Sequence, residues 1–191
     1  ASKMTTKETT KKYADNNASV ALTIIGITLA KEGKLKEAEK LFKKAIELNP
    51  VFPLAHQSYG RCLYLLGKNR KAEYHFKEAL KLDPQNANTH VLYAILLGSS
   101  KRLPLAITHL KKAIELVNKY TYSDAYLSKL IEALVFIKED NSAYEIFKRF
   151  KKKLQNSKNA IISAGVAAAN IGKLKDAYSL LRSVAGREGY I

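Results

Sequence analysis

Apolar residues along this chain fall into short stripes at spacings of three and four, interrupted at regular intervals by Gly-Lys or by Asn/Asp-Pro. Leu22, Ile25, Gly26 and Leu29 form one stripe, and Ala38, Phe42, Ala45 and Ile46 form the next. Such spacings put side chains on one face of an α-helix, so each stripe predicts an amphipathic helix. Gly33 closes the first, because glycine enters the left-handed backbone region without a steric penalty. Asn49-Pro50 and Asp83-Pro84 close others, since proline disfavours a helical residue before it and has no N–H to continue the ladder. Pro53 and Pro104 instead fall in a first helical turn, where the missing N–H costs nothing. The pattern predicts helix pairs over 19–31 with 35–48, 53–65 with 69–82, 87–99 with 103–117, 122–137 with 140–154, and 158–170 with 174–185.

The pairs are copies of one another. "GKLKEAEKLFKKAIELNP" (33–50) and "GKNRKAEYHFKEALKLDP" (67–84) start 34 residues apart. Ala38, Ala72, Ala106, Ala143 and Ala177 recur at intervals of 34, 34, 37 and 34, with the three extra residues near 117–123. Phe42, Phe76, Leu110, Phe147 and Leu181 follow these alanines four residues on, and Gly26, Gly60, Ala94, Ile131 and Gly165 precede them by twelve. The small residues are expected to let two helices approach closely, Gly26 against Ala38. A single helix pair cannot bury its own apolar face, so stacked copies cover one another.

Over residues 19–189 this arrangement resembles the tetratricopeptide repeat family. The first two units match nearly every signature place, including Pro50 and Pro84. The third has Asn118 for the proline, and the fourth departs with Ile131 and Phe150. The resemblance implies an all-α fold, a right-handed α-solenoid of antiparallel helix pairs, with repeats at about 19–52, 53–86, 87–120, 124–157 and 158–191. Residues 1–17, rich in Lys, Thr and Asn without aliphatic periodicity, are expected to be a flexible polar arm.

Charge changes the picture of partners more than of fold. Thirty-three Lys/Arg against 17 Asp/Glu give a formal net charge of +16, which favours anionic partners and says nothing about topology. The densest basic cluster is Lys148, Arg149, Lys151, Lys152 and Lys153. It sits on the polar back of a helix whose apolar stripe is Ile146, Phe147, Phe150 and Leu154, so a solvated face is the first reading and a nucleic-acid contact the second. No stretch reaches the ~20 apolar residues that span a bilayer. The single Cys62 excludes an internal disulfide and fits a cytoplasmic setting.

Catalytic chemistry has little to stand on. His56 and His90, like His75 and His109, are repeat-equivalent. The bland reading of His56 and His90 is a packing histidine, since no carboxylate or cysteine cluster completes a metal site, while His75 and His109, beside the packing Phe76 and Leu110, are expected near the surface. Cys62 falls at a packing place shared with Thr28, Leu96, Ala133 and Ala167. No phosphate loop or nucleophile elbow is present. The expectation is a non-enzymatic adaptor with no cofactor and no metal.

The resemblance places partner binding on the first helices of the repeats. Candidate groove residues are Thr23, Ile27, Gln57, Arg61, Tyr64, Asn88, Val91, Ile95 and Lys129. Family members that clamp a chaperone's C-terminal carboxylate use Lys and Asn at places held here by Thr23, Ile27, Ser58, Asn88 and Leu92, so that clamp is missing. An apolar surface with a few polar points suits another protein's peptide or amphipathic helix. Leu180, Leu181 and Val184, at helical spacing with no sixth unit to meet them, lead to the further expectation of self-association through the C-terminal repeat.

Overall fold

The computed structural model describes residues 5–120 and 122–185, and they are helical throughout, in two compact units, Ala1–Thr89 and His90–Ile191. The first unit holds α1 (Thr6–Lys31), α2 (Leu35–Leu48), α3 (Pro53–Leu65) and α4 (Asn69–Leu82). Helix α5 (Ala87–Ser99) begins at its end and leads into α6 (Leu103–Lys119), α7 (Asp124–Phe136), α8 (Asp140–Arg149), α9 (Lys151–Leu154), α10 (Lys158–Asn170) and α11 (Leu174–Ala185).

One turn is made five times. The N–H groups of Lys34, Lys68, Arg102, Glu139 and Lys173 each donate to a carbonyl five residues back, those of Leu29, Leu63, Leu97, Leu134 and Ala168, at 2.8–2.9 Å. This closure needs a left-handed residue just before the donor. Gly33, Gly67 and Gly172 supply it with φ of 80°, 73° and 79°, whereas the third and fourth repeats force Lys101 (φ 59°) and Lys138 (φ 65°) into the same region. The turn is strong enough to impose itself where the sequence lacks the glycine.

Inside each pair the repeated alanines are sealed: Ala38, Ala72, Ala106 and Ala143 expose nothing. In the first two repeats the glycine of the first helix lies against an aromatic ring of the second. A Cβ on Gly26 would lie 2.8 Å from the Phe42 ring, and one on Gly60 would lie 2.9 Å from Phe76 and 3.3 Å from the Ala72 carbonyl. The ring of the second helix therefore rests on bare backbone of the first: Phe42 is the nearest neighbour of Gly26, and at Gly60 the alanine of the pair, Ala72, lies close as well.

Two elements differ from the sequence expectation. Helix α1 starts at Thr6 and runs unbroken through the segment expected as an arm. Thr5 caps it: the Glu8 N–H donates to the Thr5 hydroxyl at 3.3 Å, and the Thr5 N–H donates back to the Glu8 carboxylate at 2.8 Å. Such a reciprocal box satisfies two end groups at once, and the Thr5 N–H, then the Thr5 hydroxyl donating to the same carboxylate at 2.9 Å, hold the Glu8 carboxyl below its ordinary pKa. The expected helix over 140–154 breaks at Phe150, with φ −105° and ψ 19°. Phe150 stands where Ala45, Ala79 and Ala113 are buried. A ring cannot occupy that alanine-sized space, and the chain turns there.

Candidate functional site

In the first unit the candidate face is built from the first helix of each pair, α1 and α3. Helix α1 lies against α3, so repeat-equivalent places flank each other: Val20 with Leu54, Ile24 with Ser58, Ile27 with Arg61, and Lys31 with Leu65. Ile24 is 55% exposed and Leu65 52%. Val20, Leu54 and Arg61 are also open to solvent, and Ile27 and Tyr64 are half-buried. Aliphatic side chains thus cover this face, with Arg61 and Lys31 as its cations.

Three expected groove residues are not on the surface. Thr23 is wholly buried, its hydroxyl donating to the Ser19 carbonyl at 2.8 Å. Gln57 is buried and accepts from the Thr89 hydroxyl at 2.8 Å. Val91 is wholly buried. All three share the place three residues before the small residue of the repeat, and Ser128 of the fourth repeat is buried there too. The polarity of Thr23 and Gln57 suggested a solvent-facing role, whereas their partners are inside the protein. Asn88, Ile95 and Lys129 are half-buried. Phe136 of α7, which the helical phase also places on the groove side, is 55% exposed and packs at 3.0 Å from where a Cβ of Gly98 would sit. Ile162, the fifth repeat's counterpart of Thr23, Gln57, Val91 and Ser128, is exposed, as are Val166, Tyr178 and Leu181, while Val184 is buried.

The basic cluster lies on α8 and α9. Lys148, Arg149, Lys151, Lys152 and Lys153 are all exposed. Lys148 lies 5.7 Å from the Tyr144 ring and Arg149 5.7 Å from the Phe150 ring. Lys153 donates to the Tyr122 carbonyl and approaches Asp124 at 4.0 Å. An open depression of ≈ 460 Å³ beside the cluster is lined by Ile114, Ser142, Glu145 and Arg149 among others. Its mixed charge gives no uniform field for a polyanion.

The reactive residue types are engaged elsewhere. Burial, and then the nearby Glu39 carboxylate, push the Cys62 thiol up to about 11, and its Sγ donates to the Leu35 carbonyl at 3.3 Å. A thiol so protonated is a packing group. Among the described residues no group of three or more His, Cys, Asp or Glu could hold a metal ion, and no helix is long and apolar enough to cross a membrane.

Residues 25–87 match the family model for the tetratricopeptide repeat. Over these residues the chain is similar to the tetratricopeptide repeat family. Among solved structures, pilF of Pseudomonas aeruginosa superposes with a TM-score of 0.76 at 19% identity, over 93% of this chain and 80% of that one. YrrB, described as a tetratricopeptide protein with an unusual peptide-binding site, gives 0.60 at 19% identity, over 92% and 89%. A thermophilic tetratricopeptide protein of Thermus thermophilus gives 0.68 at 18% identity, over 87% and 90%. At such identities the likeness is one of fold: the all-α tetratricopeptide solenoid. No curated protein sequence matches the chain.

Proposed function

We propose that this chain is a non-enzymatic protein-interaction module whose inner helix face takes an apolar peptide or an amphipathic helix. The observation that carries the reading is the row of exposed aliphatic side chains on α1 and α3, Val20, Ile24, Leu54 and Leu65, at repeat-equivalent places beside Arg61. Single exposed apolar residues are ordinary on protein surfaces, but a contiguous set marks an interaction surface. Arg61 and Tyr64 belong to the residue types that most often anchor such contacts. The peptide-binding site named for YrrB supports the reading by analogy of fold.

The test uses helical peptides selected against the full chain from a displayed library. Replacing both Arg61 and Tyr64 with alanine should leave the circular dichroism spectrum unchanged and weaken the selected peptide by about tenfold or more. Affinity should change little between roughly 50 and 300 mM salt. An unchanged affinity in the folded double variant moves the site off this face. A steep loss with salt instead assigns binding to the exposed cations of α8 and α9, the nucleic-acid reading.

A further inference from the structure

All four histidines of the chain form two matching pairs. His56 of α3 and His75 of α4 bring their Nδ1 atoms to 3.1 Å, and His90 of α5 and His109 of α6 bring theirs to 2.9 Å. The ring centroids stand 5.2 and 5.1 Å apart. Tyr59 covers His75 at 4.4 Å, and Tyr93 covers His109 at 4.6 Å. His56 and His90 are buried and their partners half-buried. The other three repeats place Leu22 and Leu41, Leu127 and Ile146, and Ile161 and Leu180 at the same two positions. Two repeats have thus exchanged an aliphatic pair for one that can take up protons.

The hydrogen bonding limits how many protons the first pair can hold. His56 Nε2 lies 3.0 Å from the Pro50 carbonyl, which can only accept, so Nε2 carries hydrogen. In the neutral ring Nδ1 is then bare, and the His75 Nδ1–H donates to it. A first added proton can go to His75 Nε2 without breaking this bond, but it puts a charge in a half-buried site. A second must go to His56 Nδ1, where two N–H groups would face each other at hydrogen-bond distance. Burial, and after it the neighbouring His56, lower His75 to about 4; burial and His90 do the same for His109.

Among the described residues, the groups around the pairs are mainly aromatic rings and carboxylates or cations set one turn away or engaged elsewhere. Tyr59 of α3 and Tyr74 of α4 touch the first by their rings, and Lys71 and Glu78 stand one turn to either side of His75 on α4. Glu39 of α2 is taken up by Lys68 at 2.7 Å. From α1, Glu8, Lys11, Lys12 and Asp15 face the Pro50 segment that holds His56. Around the second pair stand Tyr93 of α5 and, on α6, Lys112, which binds Glu115 at 2.9 Å; α7 carries Asp124 and Tyr126 in its first turn.

We propose that the two histidine pairs are an acid-release device: on acidification each pair must separate, loosening the second and third helix pairs and thereby the repeats that carry them. The sign follows from linkage. The unfolded chain protonates His75 and His109 near the ordinary value of 6.5, while in the folded chain these two rings resist until about 4. The unfolded state therefore binds more protons in that window. The stability held by the pairs is complete above pH 6.5 and is lost as the pH falls toward 4.

The test compares melting temperatures of the full chain from pH 7.5 to 4.5 with those of a variant carrying His56→Leu, His75→Leu, His90→Leu and His109→Leu, which restores the aliphatic pair of the other repeats. The wild type should lose several degrees more than the variant over pH 6.5–4.5. Equal losses overturn the proposal. If the fourfold variant does not fold, proton NMR titration of the wild-type imidazoles decides. At least two rings should resist protonation until well below pH 6, and the helical signal should fall as they titrate. Four rings titrating near 6.5 in a still-folded chain would sink the idea.

Discussion

Gly60 shows most directly how one residue type sets the distance between two helices. Its hydrogen faces the Phe76 ring, and the Cβ of any other residue would come within 2.9 Å of that ring. A larger side chain must displace a buried aromatic ring, with the Ala72 carbonyl close behind. Gly60→Leu is expected to cost roughly 1–3 kcal/mol or more. That corresponds to a melting temperature about 3–10 °C lower for a chain of this size, read by differential scanning calorimetry. A melt within a degree of wild type would mean that the ring yields freely. Lys101 and Lys138 illustrate the reverse situation, in which the fold dictates to the residue. Each holds a left-handed backbone that costs a side-chain-bearing residue about 1–2 kcal/mol, because the turn bond of Arg102 or Glu139 depends on it.

Among the helices, α1 is the one whose stability is most unevenly distributed. Its second half packs on α2 and α3, whereas residues 5–14 are almost entirely exposed. The N-terminal turns therefore depend on local bonds rather than on burial. Thr5→Ala removes the cap, which is worth about 1 kcal/mol to a helix end. The expected result is faster amide exchange over residues 6–12 and a small loss of helical ellipticity, with the global melt unmoved. A shift of the whole transition would show that this segment is tied to the core. The other boundaries were legible because Gly33, Gly67, Gly172, Pro53 and Pro104 punctuate the chain chemically. The start of α1 was legible too, in Thr5-x-x-Glu8, but aliphatic periodicity does not register a helix that buries nothing. The break at Phe150 was announced only by an oversized residue at an alanine place. For the site, exposure at Arg61 and Ile24 could be inferred from helical phase. The burial of Thr23, Gln57 and Val91 could not, because that place points toward whatever packs alongside the helix.

At the scale of the whole molecule, the positive charge is large, since 33 cationic side chains outnumber 17 anionic ones. The pairs present, such as Lys77 with Glu73 and Lys112 with Glu115, are local and partly solvated, and such pairs contribute little. Self-repulsion should therefore lower the stability of the folded state. Raising sodium chloride from about 20 to 300 mM shortens the screening length from roughly 20 to 6 Å. The melting temperature should rise with it, and a flat or falling dependence would show that the charges are already balanced in the fold. The rings of Phe42 and Phe76, each seated on a glycine, carry a consequence of a different kind. If either were trimmed to alanine, no neighbouring Cβ stands beneath to fill the space, and the floor of the vacancy would be peptide backbone. A dry hole of benzene's shape at that place would make the folding of the first unit answer to a small aromatic solute, turning a packing detail into a chemically addressable switch.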